Sequence, residues 1–284
     1  MCLGTTVSAS PYLLIGGDGD PTVETDTTAL KVTGVSVSPS RLRMNGKPGE
    51  TVIETIKITN NTDVANSFSM NFFDFDMNGK GKSAFSEPGT GKYSLSKWAS
   101  VSPTFVELAP GERKEITWTI SLPDTDEGHR AAWSILMVEM ASERKELDIQ
   151  RPGDETIAFG IVPTYAFGVF LYQNPPNVTN NQVDITSFGI TPLEGHTGVM
   201  EFEVENSGNG ISYCTAYIEL TNLSTGSQDR LPVKHFTILP ELIRDFKFNL
   251  PHTLEPGRYS AVGVLDFGST EEIQAAELEF EIEP

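Results

Sequence analysis

The sequence predicts an all-β protein of two tandem sandwiches, and three observations carry that prediction. Short apolar–polar alternations recur along the chain, turn dipeptides separate them at short intervals, and the pattern of the first half restarts in the second. No segment shows a sustained 3.6-residue apolar stripe with caps, so no helix competes with the strands. At 284 residues the chain has the length of two domains. Each would be large enough to bury a core without metals or disulfides.

Residues 1–30 read as leader and linker. Met1–Ile15 carries no charge and contains the small-residue run Val7-Ser8-Ala9. It fits either the tail of a secretory signal around its cleavage site or a floppy N-terminus. Cys2 is in addition a candidate lipid-anchor cysteine. Residues 16–30 are rich in Gly, Asp and Thr without periodicity, which marks a linker or disordered arm.

The first sandwich is expected over residues 31–176. Val35 and Val37, then Leu42 and Met44, flank Pro39. The run from Ile53 to Ile58 alternates, as do Phe68, Met70 and Phe72, and later Ile116, Trp118 and Ile120. Alternation over four to eight residues marks a half-buried strand. Asn45-Gly46, Asn78-Gly79, Pro88-Gly89 and Pro110-Gly111 supply the turns. Asn-Gly is the strongest of these signals because both residues tolerate positive φ. Strands at such spacing favour an immunoglobulin-like sandwich over a barrel or propeller.

Ala131–Met140 is dense in apolar residues and reads as a buried strand, followed by a long polar loop over Ala141–Thr156. Beyond it Ile157, Phe159, Ile161, Tyr165, Phe167 and Val169 alternate with mostly small residues. Such a strand either cores its own domain or offers an edge to a partner strand. Ile157, Phe159 and Ile161 are therefore candidate partner-binding residues. The polar, proline-stiffened segment Gln173-Asn174-Pro175-Pro176-Asn177 is a break, and the second sandwich is expected over residues 177–284. There the pattern repeats: Thr55–Asn61 resembles Glu201–Ser207, and Leu108–Glu112 with Leu122-Pro123 resembles Ile238–Glu241 with Leu250-Pro251.

Charge and motifs exclude several functions. With 39 acidic against 20 basic residues the formal net charge is -19. That field repels phosphate backbones and anionic head groups, so nucleic acid and membrane surfaces are not expected partners. No stretch approaches the roughly 20 apolar residues of a transmembrane helix. The four histidines lie far apart, so no metal site is expected. There is no nucleophile elbow, Walker loop or dinucleotide fingerprint. No catalytic residue and no cofactor is assigned, and the chain is read as a non-enzyme. Asp74-Phe75-Asp76-Met77-Asn78-Gly79 matches half of an EF-hand loop, but its twelfth position is Phe85 where a glutamate is required, so a hairpin with solvated aspartates is the reading adopted. Asn60, Asn177 and Asn222 head glycosylation sequons that arise readily in Asn-rich turns. No bridge between Cys2 and Cys214 is expected, and low cysteine usage leaves the compartment open.

Val35–Arg43, the strand Thr55–Asn60, the turn Asp76–Lys80, the run Ser102–Glu112, and Phe170-Leu171-Tyr172 with Pro175 resemble the first domain of PapD-like periplasmic pilus chaperones. The resemblance covers about residues 35–176. It implies two immunoglobulin-like sandwiches and donor-strand complementation of a pilin-like subunit. It also implies that Arg43, or Arg41, anchors the subunit's terminal carboxylate. The family's second anchor, a lysine, falls within Val169-Phe170-Leu171, where no basic residue stands. The tandem arrangement also resembles the surface proteins that interact with WxL-domain proteins, which implies adhesion or wall binding instead. Both imply an exported, cofactor-free bacterial protein, in the periplasm or at the cell surface, whose partner is another envelope or secreted protein.

Overall fold

The computed structural model describes residues 34–141, 165–193 and 196–283, and the fold it shows is built from strands. Ten strands make the first sandwich: β1 (Gly34–Ser38), β2 (Arg41–Met44), β3 (Thr51–Asn61), β4 (Asn66–Met77), β5 (Ser83–Ser86), β6 (Ala99–Ser102), β7 (Phe105–Leu108), β8 (Arg113–Ser121), β9 (Ala132–Ala141) and β10 (Ala166–Gln173). One sheet runs β1-β3-β8-β6. The other runs β2-β10-β9-β4-β5, with β7 also on β4. The stretch around Pro39 changes sheets: β1 pairs antiparallel with β3, whereas β2 pairs parallel with β10. Pro has no N–H to donate to a ladder, so it sits naturally where one sheet is left for the other.

The expected alternation is present where one sheet face meets solvent. Ile56 and Ile58 of β3 and Ile116, Trp118 and Ile120 of β8 are buried, while Thr55, Glu115 and Thr117 between or beside them are exposed. β9 departs from alternation because both its faces are covered. Leu136 and Val138 enter the sandwich core, and Trp133 and Ile135 belong to a second apolar cluster on the opposite face. A strand covered on both faces reads as a continuous apolar run.

The second sandwich comprises β11 (Val183–Leu193), β12 (His196–Asn206), β13 (Ser212–Asn222), β14 (Gln228–Arg230), β15 (Lys234–Ile238), β16 (Ile243–Asn249), β17 (Gly257–Asp266) and β18 (Gln274–Ile282). A sheet β11-β12-β16 faces a sheet β14-β13-β17-β18, with β15 also on β13. Phe202, Ile218, Ala261 and Leu265 lie in its core. Cys214 is a buried free thiol there.

The internal repeat has a physical basis in two buried asparagines. Asn60 ends β3; its amide donates to the carbonyls of Leu108 and Ala109, and its backbone bonds to Glu112 and Gly111. Asn206 ends β12; its amide donates to the carbonyls of Gly210 and Ile238, and its backbone bonds to Leu242 and Glu241. Each side chain fastens a strand end to the turn that opens another strand. The left-handed position is Gly111 (φ 76°) in the first copy and Glu241 (φ 66°) in the second.

The proline-stiffened break does more than separate the sandwiches. Gln173 is buried and its side-chain amide pairs with Gly46, donating to its carbonyl at 2.6 Å and accepting its N–H at 3.1 Å. Asn174 grips the second sandwich: its amide donates to the Ile211 carbonyl at 2.8 Å and its oxygen accepts the Ile211 N–H at 2.9 Å. The aspartates of the EF-hand-like segment are not all solvated, as the hairpin reading supposed. Asp74 is 2% exposed and accepts hydrogen bonds from Ser94 and Ser96 hydroxyls and the Gly91 N–H. Burial was available because three donors satisfy the carboxylate. The turn itself is present, closed by Asn78 and Lys82.

Candidate functional site

The candidate site lies along β10 and its neighbour β2. β10 pairs with β9 over its whole length, Ala166–Gln173, but with β2 only over Phe170–Gln173. Among the described residues, therefore, no strand covers the outer edge of Ala166–Val169. The Phe170 N–H donates outward to the Ser40 carbonyl and the Asn174 N–H outward to Met44. By the two-residue repeat of a strand, the amides of Ala166 and Gly168 point outward as well. An open edge of this kind is a template for another strand.

The two faces of β10 do different work. Phe167, Val169 and Leu171 pack into the first core, with Val169 and Leu171 fully buried. On the other face, bulky residues replace the small ones from Phe170 onward. Phe170 and Tyr172 join Phe75, Trp133 and Ile135 of the first sandwich and Ile211, Tyr213 and Leu239 of the second. Phe75 meets Phe170 edge-on at 5.2 Å and Tyr172 at 6.1 Å, and Tyr172 meets Tyr213 at 6.1 Å.

Arg41 and Arg43 flank this aromatic row. They are register partners of Phe170 and Tyr172, and both are exposed, whereas Leu42 and Met44 between and beside them turn toward the core. The Arg43 guanidinium lies 3.6 Å from the centre of the Tyr213 ring. A stacked guanidinium keeps its N–H groups in the ring-parallel plane, free to receive an anion bidentately. Neither arginine forms an ion pair among the described residues. Burial pushes the Tyr213 hydroxyl up to about 12, against the opposing pull of Arg43. Burial also raises Tyr172, with Arg41 the strongest charge opposing it. Both tyrosines therefore keep their protons at neutral pH, with the Arg41 and Arg43 guanidiniums close enough to oppose that rise.

Of the partner-binding residues named from sequence, Arg43 is thus placed beside β10. Ile157, Phe159 and Ile161 lie outside the described residues. Sequence reasoning did not find Tyr213, which lies 170 positions beyond Arg43 and carries no motif, nor the pairing of Tyr172 with Arg43. Among the described residues no group of three or more His, Cys, Asp or Glu could hold a metal ion. Among the same residues no helix is long and apolar enough to cross a membrane. Two sequon asparagines, Asn60 and Asn222, are buried, while Asn177 donates to the His129 carbonyl at an exposed site.

No family model matches the chain, and no curated protein matches it in sequence. Solved structures do resemble it. The Escherichia coli chaperone DraB is 12% identical over 87% of this chain and 98% of its own, with a TM-score of 0.42. The SafB chaperone of Salmonella enterica, solved with SafA pilin, is 12% identical over 88% of this chain and 99% of its own, with a TM-score of 0.41. A PapD-like domain of human CEP192 is 14% identical over 58% of this chain, with a TM-score of 0.32. Likeness at this level assigns the chain no function.

Proposed function

We propose that this protein is a non-enzymatic, extracytoplasmic binding module that assists assembly of another envelope or secreted protein, a pilin-like subunit, by pairing strands at the β10 edge. The observation that carries the reading is the half-covered strand. β2 leaves β10 open from Ala166 to Val169, and two arginines that form no ion pair among the described residues stand where the covering ends. An extended segment of the partner would continue the sheet along Ala166 and Gly168. Its terminal carboxylate, or an acidic side chain, would reach Arg43, with Arg41 on the same strand face as the second cation. A charge-assisted bond there contributes roughly 1.5–3 kcal/mol. The sequence resemblance of residues 35–176 to pilus chaperones points the same way.

The test separates backbone pairing from side-chain contact. Ala166→Pro removes an outward N–H that no described residue uses, and leaves the alternate β9 ladder intact. Wild type, Ala166→Pro and Arg43→Ala would be compared in pull-downs from envelope extract, after circular dichroism shows all three folded. A discrete secreted protein recovered by wild type, and lost or reduced about tenfold by either variant, is the expected result. Equal recovery by all three would place the interface elsewhere. Stable fractionation with the wall and no secreted partner would favour the adhesion-like reading.

A further inference from the structure

The turn between β4 and β5 has a second role that its hairpin chemistry does not require. β16 is an edge strand, paired with β12 on one side only. On its outer side the Asp245 N–H donates to the Gly79 carbonyl of the first sandwich at 2.9 Å. The two glycines of the turn are shaped to this contact. A Cβ on Gly79 would stand 2.8 Å from an Asp245 carboxylate oxygen and 3.2 Å from the Ile243 carbonyl oxygen. A Cβ on Gly81, which has φ +76°, would collide with the Arg244 guanidinium. Left-handed φ explains a glycine at 81 on its own; the close approach of β16 is what accounts for Gly79.

Arg244 is an unusual residue for an edge strand. It is 8% exposed, forms no ion pair among the described residues, and lies beside the packed rings of Phe236 and Phe246, at 5.4 and 5.0 Å from their centres. Its Nη1 donates to the Thr237 carbonyl at 2.9 Å and approaches the Met77 sulfur, at the end of β4, at 3.4 Å. Burying a guanidinium without a carboxylate is costly, and burial accordingly lowers its pKa. A cost accepted where the two sandwiches meet implies that the group acts across the joint.

We propose that the β4–β5 turn is an intramolecular cap on the outer edge of β16, and that Arg244 is the positioning residue that holds it there. The cap closes an edge that would otherwise be open to pairing with other chains. It also fixes the second sandwich against the first, in concert with Glu241, which accepts bonds from Lys92 at 2.7 Å and Tyr93 at 3.0 Å. This proposal is independent of what the β10 edge binds.

Native-state hydrogen exchange on the full chain tests it, read at the Asp245 amide. In wild type that amide is protected although it faces away from β12. Arg244→Met keeps the bulk beside the two phenylalanines but removes the donors to Thr237 and Met77. It should speed Asp245 exchange at least about tenfold while the β12–β16 ladder amides keep their protection. Gly81→Ala probes the same contact from the first sandwich, without altering the second core, and should do the same. Should Arg244→Met also loosen the ladder, Gly81→Ala decides alone. An Asp245 amide that exchanges freely in wild type, or stays protected in Gly81→Ala, would overturn the proposal.

Discussion

At the scale of single residues, buried polar side chains account for more of the architecture than the apolar pattern suggests. Asn60 is fully buried and serves three carbonyls, those of Val64, Leu108 and Ala109. Asn60→Ala would leave buried acceptors unmet, at about 1–3 kcal/mol for each that water cannot reach. We expect a loss of roughly 3 kcal/mol in urea unfolding, with a similar but smaller loss for Asn206→Ala, which releases two carbonyls. Losses below about 1 kcal/mol in both would show that the turns hold without them. Two other buried groups set an alkaline limit. Burial holds the Cys214 thiol at about 12 against an ordinary 9.0, and Tyr213 at about 12 against 10.0. Both keep their protons more tightly in the folded state, so the stability they contribute is whole below the unfolded values and drains away as pH rises toward 12. Denaturant midpoints should therefore fall between about pH 9 and pH 12, and Cys214→Ala should flatten the start of that fall. A midpoint independent of pH over this range would contradict the assignment.

At the scale of elements, alternation reveals strands in sequence but not what covers them. β3 and β8 are legible because solvent takes one face, and the turn at Asn78-Gly79 because its dipeptide dictates the backbone. The repeat linking Asn60 to Asn206 is legible too, since the same bonds demand the same residues. What is not legible depends on distant chain. β9 is apolar on both faces over residues 135–138 because the second sandwich helps cover one of them, and Asp74 is buried because Ser94 and Ser96 reach it from another loop. Gly79 looks like a turn glycine until β16 is seen against it. The candidate site divides the same way. The bulky face of Phe167 and Val169 is visible in sequence. That β2 covers β10 only from Phe170 onward depends on the sheet change at Pro39, which no local pattern states.

At the scale of the whole molecule, the two sandwiches share an apolar cluster, the Asn174 amide clamp, the Arg43–Tyr213 stack and the capped edge of β16. A joint with this many contacts around an apolar cluster is expected to hold the sandwiches in one arrangement rather than swing. It thereby keeps Tyr213 under Arg43, beside the part of the β10 edge that no described strand covers. The central claim is that this edge receives a partner strand. Hydrogen exchange of the complex recovered by wild type, compared with the free protein, tests it most directly. The amides of Ala166 and Gly168 should gain protection of about a hundredfold or more on binding, while those of β18 remain unchanged. If Ala166 and Gly168 exchange equally fast free and bound, the partner does not pair with β10, and strand addition is not how this protein works.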